Sequence, residues 1–237
     1  MDAKPLLKIK SPYALEMALR ALKALADYHG LRPELNELLQ RHNIKVRREG
    51  YNILDEENIE EMIDWYRRVY HSSPQKIQNS LRFMLASGLR PTESLVSMRL
   101  IAQNAKDYVV EREGFARLEH ARYPEIFIRR VKKAYLSFVP IEALDWAKSG
   151  ETSYDNIRNY VRRKLHMPLR LEYARKIWGT YLKDNGVDSE IINMLQGRVK
   201  KNVFLRYYYR PDLDKLGIKI ANVTKKLIAE LNELGNH

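Results

Sequence analysis

The sequence predicts a mainly α-helical fold that includes a small antiparallel β-sheet, an α+β architecture. Apolar residues recur every three or four positions through most of the chain, and helix start and stop signals flank these stretches, as at Ser11-Pro12 and Gly30. Two short runs, Glu125 to Ile128 and Ala134 to Val139, differ because they are rich in aromatic and branched residues. These runs predict two strands of the sheet.

The N-terminal part of the chain predicts two helices. Ser11 is suited to cap the first helix and Pro12 to occupy its first position, and this helix is expected to run to about Tyr28. Pro33 begins a shorter helix that ends near Arg41. The residues predicted to form the buried stripe of the first helix are Leu15, Ala18, Leu19, Leu22 and Leu25.

The middle of the chain predicts three helices before the two strand-forming runs. Asp55 is placed to cap the first helix, Ser73-Pro74 begins the second, and Gly88 ends that second helix. The third helix runs from Thr92 to about Lys106. The charged stretch from Asp107 to Tyr123 shows no clear period, so its secondary structure stays open.

After the strands the chain returns to helical periodicity. Short helices are expected over Ile141 to Ser149 and Tyr154 to Leu165, and a longer one over about Leu171 to Lys183. Asp188 is placed to cap the next helix, which Gly197 ends. The tail predicts an amphipathic helix, whose apolar residues are Leu216, Ile220, Val223, Leu227, Ile228 and Leu231.

The composition indicates a polyanion as partner. The 237 residues include 42 Lys plus Arg and carry a net charge of +12, while 45% are hydrophobic, which is enough to build a core. Such an excess of positive charge is the electrostatic footprint of a nucleic-acid binder. The alternative is a charged surface of thermophile type, since Lys and Glu are both abundant.

Two absences from the sequence exclude further classes of protein. The chain has no cysteine, which excludes a disulfide framework, a thiolate zinc site and a cysteine nucleophile. No apolar run approaches the ~18 residues of a membrane span, and no signal-peptide pattern opens the chain. We therefore expect a cytoplasmic protein without a membrane partner.

The stretch from Glu172 to Arg210 carries the side chains that phosphoryl transfer requires. Arg175 lies inside a predicted helix, Arg198 lies just after the end of the next, and three successive tyrosines, Tyr207 to Tyr209, follow. Guanidinium groups bind phosphate oxygens in a planar, two-pronged way. A phenol can attack phosphorus and form a covalent phosphoester.

This stretch resembles the second catalytic box of the tyrosine recombinases. Glu172-x-x-Arg175 occupies the place of the family's His-x-x-Arg, and Leu195 to Arg198 occupies the place of its Leu-Gly-His turn. Glu and Arg in place of the two histidines depart from the bacterial pattern. They resemble archaeal virus and plasmid integrases of the fusellovirus type, in which a Gln-Gly-Arg-Val turn precedes a basic helix that contains a tyrosine.

Two more segments are similar to parts of the same family. Gly88 to Glu93 resembles the first catalytic box, Thr-Gly-Leu-Arg-x-x-Glu, and places Arg90 at a helix start; the alternative is a surface arginine after a helix end. The family carries a lysine between two strands, often eight residues before a proline, which here gives Lys132, counted back from Pro140. The alternative for Lys132 or Lys133 is a basic hairpin tip that contacts phosphate.

The resemblance implies a role for each candidate catalytic residue. Arg90 and Arg175 would bind the scissile phosphate, Arg198 would add a third contact, and Lys132 would protonate the leaving 5′ oxygen. Glu172 would either position Arg175 or accept the proton of the tyrosine. Tyr208 is our first choice as nucleophile and Tyr207 the second, with Tyr209 third. The catalytic residues predicted in this way are Arg90, Lys132, Glu172, Arg175, Arg198 and Tyr208.

The expected partner is double-stranded DNA at a recombination site, and no metal or cofactor is expected because the arginines supply the charge. Basic residues outside the catalytic set are expected to contact phosphate, although a charge run is also commonly a solvated face. The predicted DNA-binding residues are Lys45, Arg47, Arg48, Arg129, Arg130, Lys133, Arg162, Arg163, Lys200 and Lys201.

The resemblance also implies a domain organisation and an assembly. Residues 1–48 would form the end of a helical core-binding domain, with a basic linker to about residue 54, and residues 55–237 the catalytic domain with its tail helix. Alternatively, the first helices extend a single domain. The tail helix would dock on the next protomer, which gives a tetramer on DNA.

Two other functions stay open at this stage. A type IB topoisomerase uses the same chemistry without strand exchange, relaxes supercoils as a monomer and shows no site preference. A non-catalytic DNA-binding adaptor would use the arginines for phosphate contact alone and would never become covalently attached to DNA.

Overall fold

The computed structural model divides the chain into two compact units, Met1–Glu56 and Glu57–His237. The residues that the structure describes are 3–9, 11–44, 58–128, 133–150, 152–198 and 211–232. None of the helices in this described part is long and apolar enough to cross a membrane.

The first unit contains three helices, α1 Lys4–Leu7, α2 Pro12–Tyr28 and α3 Arg32–Arg41. The predicted cap of α2 is confirmed, since the Ser11 hydroxyl accepts a hydrogen bond from the backbone N–H of Ala14 at 3.3 Å. Leu19 and Ala26 are buried on one face of α2. The predicted burial of Leu25 is wrong, because its side chain is 55% exposed. Adjacent helical positions point about 100° apart, so Leu25 lies beside the buried face that includes Ala26.

The second unit is mainly helical. Its longer helices are α4 Ile59–Ser72, α5 Gln75–Ser87, α6 Pro91–Ala102, α10 Tyr173–Asp184 and α12 Leu213–Asn232. Its short helices are α7 Pro124–Phe127, α8 Ala143–Ser149, α9 Tyr154–Asn159 and α11 Ser189–Leu195. A 3₁₀ turn covers His120–Arg122, and a π-helical turn, Tyr160–Lys164, continues α9.

A three-stranded antiparallel sheet in the order β1-β2-β3 completes the second unit and confirms the α+β class. Its strands are β1 Val109–Arg112, β2 Phe115–Leu118 and β3 Ser137–Pro140. In the register of the sheet, Val110 lies opposite Arg117 and Ala116 opposite Val139. The first two strands form a hairpin in the stretch whose secondary structure the sequence left open.

The predicted strand over Glu125 to Ile128 is wrong. Pro124 occupies the first position of α7, where its missing N–H costs nothing, and Ile128 makes only a single bridge to Lys133. The second predicted run is confirmed in part, because its strand begins at Ser137.

The predicted start of α4 also differs from the structure. The expected cap, Asp55, lies outside the described residues, and the helix begins at Ile59. Asn58 caps it instead, with its side-chain oxygen 3.2 Å from the N–H of Glu60.

The apolar face of α12 is covered by the helix's own unit. Helix α12 packs on β3, α10 and α5. Ile220 is fully buried there, and Leu227 and Leu231 are nearly so. The last turn receives hydrogen bonds from α4, where Arg67 donates to the carbonyl of Glu230 at 3.0 Å and Tyr70 to the Asn232 side chain at 2.9 Å. Donors at a helix C-terminus satisfy its free carbonyls, so the tail is held by polar contacts as well as apolar ones.

We predict that Gly217→Ala destabilises the protein although alanine favours helices. A Cβ at this position of α12 would lie 2.6 Å from Cζ of Phe115, whose ring is 2% exposed and packed against Phe138. Overpacking of this kind costs about 1–3 kcal/mol. The measurement is the free energy of unfolding in urea. Asn222→Ala on the exposed side of α12 is the control and should be neutral or slightly stabilising; equal stability of the two variants would contradict the prediction.

Candidate functional site

Arg175 is the buried centre of the site. It lies in the first turn of α10 and is only 7% exposed. Its guanidinium donates from Nη1 to the carbonyl of Gly88 at 3.3 Å and from Nη2 to the carbonyl of Gln196. One side chain thereby joins the end of α5, the start of α10 and the end of α11.

Arg90 lies at the start of α6, as its position before Pro91 predicted. Its Nη1 is 3.0 and 3.2 Å from the two carboxylate oxygens of Glu93, which is 3% exposed. The same carboxylate accepts from the backbone N–H of Arg90 at 3.4 Å. A buried glutamate therefore fixes both the backbone and the side chain of Arg90.

The charges of three arginines act on one another at this site. The pKa of Arg175 is lowered to about 10, first by burial and then by the positive charges of Arg90 and Arg198, while Glu93 opposes the shift. Arg175 still carries its charge at neutral pH. Arg90 and Arg198, which come from distant parts of the chain, therefore lie near enough to act on the charge of Arg175, and Glu93 pairs with Arg90. Several guanidinium groups in one region form an arrangement suited to an anion.

Arg198 is exposed and follows a sharp turn at the end of α11. Gly197 has a φ of +64°, and its neighbour Arg198 donates its backbone N–H to the carbonyl of Asn193 at 2.8 Å. A Cβ on Gly197 would overlap the carbonyl oxygen of Lys133. The turn therefore packs directly on the backbone of Lys133, which places Lys133 next to the Gly197–Arg198 turn.

Gly88 is required for the other side of the site. Its φ is +62°, and a Cβ there would lie 2.5 Å from the ring of Trp178. Trp178 lies one turn after Arg175 on α10, so Gly88 packs on the indole while its carbonyl accepts from the guanidinium. A larger residue would separate α5 from α10 and remove that hydrogen bond.

Similarity to a known protein family covers most of the chain. The family model described as archaeal phage integrase matches residues 52–216, a range that includes all three arginines and the tyrosine triplet. The chain belongs to the archaeal phage integrase family. No curated protein and no solved structure shows detectable similarity to it. Membership of this family indicates a site-specific recombinase or integrase, with DNA as its partner.

A chain of buried polar groups supports the Gly88 turn of the integrase. His120 is fully buried, with Nδ1 2.9 Å from the Tyr108 hydroxyl and Nε2 2.9 Å from the Ser137 hydroxyl. Ser137 donates to the carbonyl of Ser87, the residue before Gly88, at 3.3 Å. The Ser137 hydroxyl thereby connects the His120 ring to the carbonyl of Ser87. The sheet is thereby connected to the backbone that binds Arg175.

Other predicted residues of the integrase lie at the surface. Glu172 is exposed just before α10, and its carbonyl accepts from the backbone N–H of Arg175 at 3.2 Å. Lys133 is exposed, as are Arg162 and Arg163 on the π-helical turn. Tyr160 in that turn is half-buried, and its hydroxyl donates to the carbonyl of Ser72, so it packs on the core.

The structure therefore brings together part of the predicted site. Arg90 and Arg198 lie near enough to Arg175 for their charges to lower its pKa, and the backbone of Lys133 packs on the Gly197 turn. The predicted residues that fall outside the described part of the chain are Lys45, Arg47, Arg48, Arg129, Arg130, Lys132, Lys200, Lys201, Tyr207, Tyr208 and Tyr209.

Sequence reasoning assigned no role to three residues that shape the site, Glu93, His120 and Gln196, although Glu93 and Gln196 stand within the two motifs. Glu93 stands at the third position of α6, where an acidic side chain often bonds back to the helix start, and this signal was available. His120 and Gln196 contact residues that are distant in the chain, and a single sequence carries no local sign of such contacts.

We predict that His120 makes the integrase sensitive to mild acid. Burial lowers the pKa of His120 to about 3, so the unfolded chain takes up a proton below about pH 6.5 and the folded protein does not. Stability is therefore complete above pH 6.5 and decreases as the pH falls towards 3, by up to about 1.4 kcal/mol per pH unit.

The measurement compares urea unfolding of wild type and His120→Gln between pH 7 and 4.5. The variant should start less stable and lose stability less steeply with falling pH. His166→Asn, at an exposed position with a φ of +51° that asparagine tolerates, controls for the loss of a histidine. Parallel slopes for wild type and His120→Gln would show that His120 does not carry the effect.

Proposed function

We propose that this integrase is a tyrosine recombinase that breaks and rejoins DNA through a covalent 3′-phosphotyrosine. The observation that supports the proposal is that the positive charges of Arg90 and Arg198 act on the buried Arg175, while Glu93 pairs with Arg90. Stability alone does not require two further arginines beside one arginine–glutamate pair, because like charges at close range are unfavourable. A phosphate as substrate accounts for the excess of positive charge at the site.

The charge of the site fits the transition state better than the substrate. Three arginines and one glutamate leave two positive charges, whereas a phosphodiester carries one negative charge. Attack by a phenolate adds a second negative charge to the pentavalent phosphorus. An arrangement with two net positive charges therefore binds the transition state more strongly than the ground state, which is the condition for catalysis.

The proposed reaction conserves the energy of the broken bond. The oxygen of Tyr208 attacks the scissile phosphorus, the bond from phosphorus to the 5′ oxygen breaks, and Lys132 donates a proton to that oxygen. Glu172 accepts the tyrosine proton or orients Arg175, and its exposed position before α10 is compatible with both roles. A 5′ hydroxyl then attacks the phosphotyrosine and restores a phosphodiester, so the reaction requires no ATP.

The proposed DNA contacts beyond the scissile phosphate come from exposed basic residues. Arg162, Arg163 and Lys133 are exposed and free to reach phosphates of a duplex. Contacts of this kind position the enzyme without reading sequence, and they make binding dependent on salt. The remaining proposed contacts are Lys45, Arg47, Arg48, Arg129, Arg130, Lys200 and Lys201.

We predict that the integrase becomes covalently attached to DNA without added metal. The substrate is a nicked suicide duplex that carries a candidate attachment site, and the product is a slowly migrating protein–DNA band on a denaturing gel. Wild type is compared with Tyr207→Phe, Tyr208→Phe and Tyr209→Phe. The band should be lost only in Tyr208→Phe, because phenylalanine keeps the ring and removes the attacking oxygen.

Each result distinguishes the candidate functions. Loss of the band only in Tyr207→Phe would keep the mechanism and change the nucleophile. Relaxation of site-free supercoiled plasmid by a monomer would favour the type IB topoisomerase. A wild type that binds DNA with a steep salt dependence and forms no band would contradict catalysis and support the adaptor.

We also propose that the integrase assembles as a tetramer on its site through α12. Since the apolar face of α12 is covered by its own unit, this assembly requires neighbouring protomers to exchange the helix, each filling the same groove of the next. Light scattering should show a protein mass of four chains on site DNA and of fewer chains on unrelated DNA of the same length. A mass of one chain on site DNA would exclude the assembly.

A further inference from the structure

Gln196 and Arg175 form a reciprocal pair of hydrogen bonds. The carbonyl of Gln196 accepts from Nη2 of Arg175, and Nε2 of Gln196 donates to the carbonyl of Arg175 at 2.9 Å. Because a carbonyl accepts, the amide nitrogen of Gln196 must face α10, which settles the orientation of this amide. Each residue thus holds the backbone of the other.

The side chain of Gln196 is too deeply buried to contact DNA. Gln196 is 2% exposed, whereas the neighbouring Arg198 is exposed. Gln196 can therefore influence a bound phosphate only through other residues, and its hydrogen bonds point to Arg175. The guanidinium of Arg175 is held between the carbonyls of Gly88 and Gln196, and the second of these moves with Gln196.

Gly179 provides an independent observation that this contact is built into the chain. Gly179 lies inside α10, where glycine is less favourable than alanine. A Cβ at this position would lie 3.1 Å from Nε2 of Gln196, closer than such atoms normally approach. The glycine therefore leaves the space through which the Gln196 side chain reaches the carbonyl of Arg175.

We propose that Gln196 is a positioning residue of the cleavage reaction, which orients the guanidinium of Arg175 towards the scissile phosphate. This inference rests on the proposed function. Its removal should slow the chemical step, because Arg175 would sample orientations that do not match the transition state. It should leave DNA binding unchanged, because most contacts with the duplex lie elsewhere.

The first experiment separates chemistry from binding. Gln196→Met keeps the length of the side chain and removes the donor. Single-turnover formation of the covalent complex at saturating nicked DNA should be about 10- to 100-fold slower, with the Kd for DNA unchanged. Ile191→Val, a buried change on the same helix that does not touch the pair, is the control for general destabilisation and should cleave at the wild-type rate.

A double-mutant cycle tests whether Gln196 acts through Arg175. Arg175→Lys removes the fork of the guanidinium and should itself slow cleavage. If Gln196 acts only by positioning the guanidinium of Arg175, adding Gln196→Met to Arg175→Lys should slow cleavage little further. Fully multiplicative effects would overturn the inference.

A second double-mutant cycle tests the contact between Gly179 and Gln196 by thermal stability, so it does not depend on the cleavage reaction. Gly179→Ala should lower Tm in the wild-type background, since the new methyl displaces the amide of Gln196. In a Gln196→Ala background the same change should raise Tm, because alanine then contributes only its helix propensity. An equal effect in both backgrounds would show that Gly179 does not accommodate Gln196.

The outcomes keep the inference distinct from the proposed function. Slower cleavage with an unchanged Kd for DNA, together with non-additive effects in both double-mutant cycles, supports the positioning role of Gln196 and the proposed function. Cleavage by Gln196→Met at the rate of Ile191→Val overturns the positioning role and leaves the recombinase intact. If wild type forms no covalent complex, the proposed function fails and so does the catalytic part of the inference. The Gly179 cycle then still decides whether the pair forms.

Discussion

The burial of one guanidinium group constrains the whole second unit. An arginine that is 7% exposed must have its donors satisfied, since an unpaired buried charge costs several kcal/mol. Arg175 meets this requirement with two backbone carbonyls, from Gly88 and Gln196, rather than with a carboxylate. Carbonyls are neutral, so the positive charge is held in place without being cancelled and stays available to an anion. The cost is geometric, because the ends of α5 and α11 must both reach the first turn of α10.

Two glycines, Gly88 and Gly197, allow the ends of α5 and α11 to pack closely on neighbouring parts of the chain. Gly88 packs on the indole of Trp178 with a positive φ, and Gly197 packs on the backbone of Lys133 with another. Neither contact leaves space for a Cβ. Each glycine thus ends its helix and also lets the turn pack closely against a distant part of the chain. The same residue therefore satisfies a local requirement and a long-range one. For this reason the short motifs Gly88-Leu89-Arg90 and Gly197-Arg198 are useful signals of the site, although each residue type in them is common.

The parts of the structure that the sequence predicted are those decided locally. Helix ends at Gly88 and Gly197, the cap at Ser11 and the amphipathic tail follow from neighbouring residues. Strands β1 and β2 were not predicted, because each has only four residues and each includes charged side chains. Their pairing with β3 supplies the stabilisation that local propensity lacks. The contacts of His120 and Gln196 likewise depend on distant partners. Gly179, like Gly217 a glycine inside a helix, is a sign of such a distant partner in the sequence.

The electrostatic state of the free site suits the proposed reaction better than mere binding of DNA. Arg90 and Arg198 lower the pKa of Arg175, which means that the three charges repel one another before a ligand arrives. Glu93 relieves this repulsion only partly, and its carboxylate is directed to Arg90. An anion relieves the rest, and a transition state with one more negative charge relieves more than the substrate does. Folding thus brings the arginines together without supplying enough negative charge to neutralise them. The buried carbonyls, the glycine turns and the polar chain from His120 are what hold this unfavourable arrangement in place.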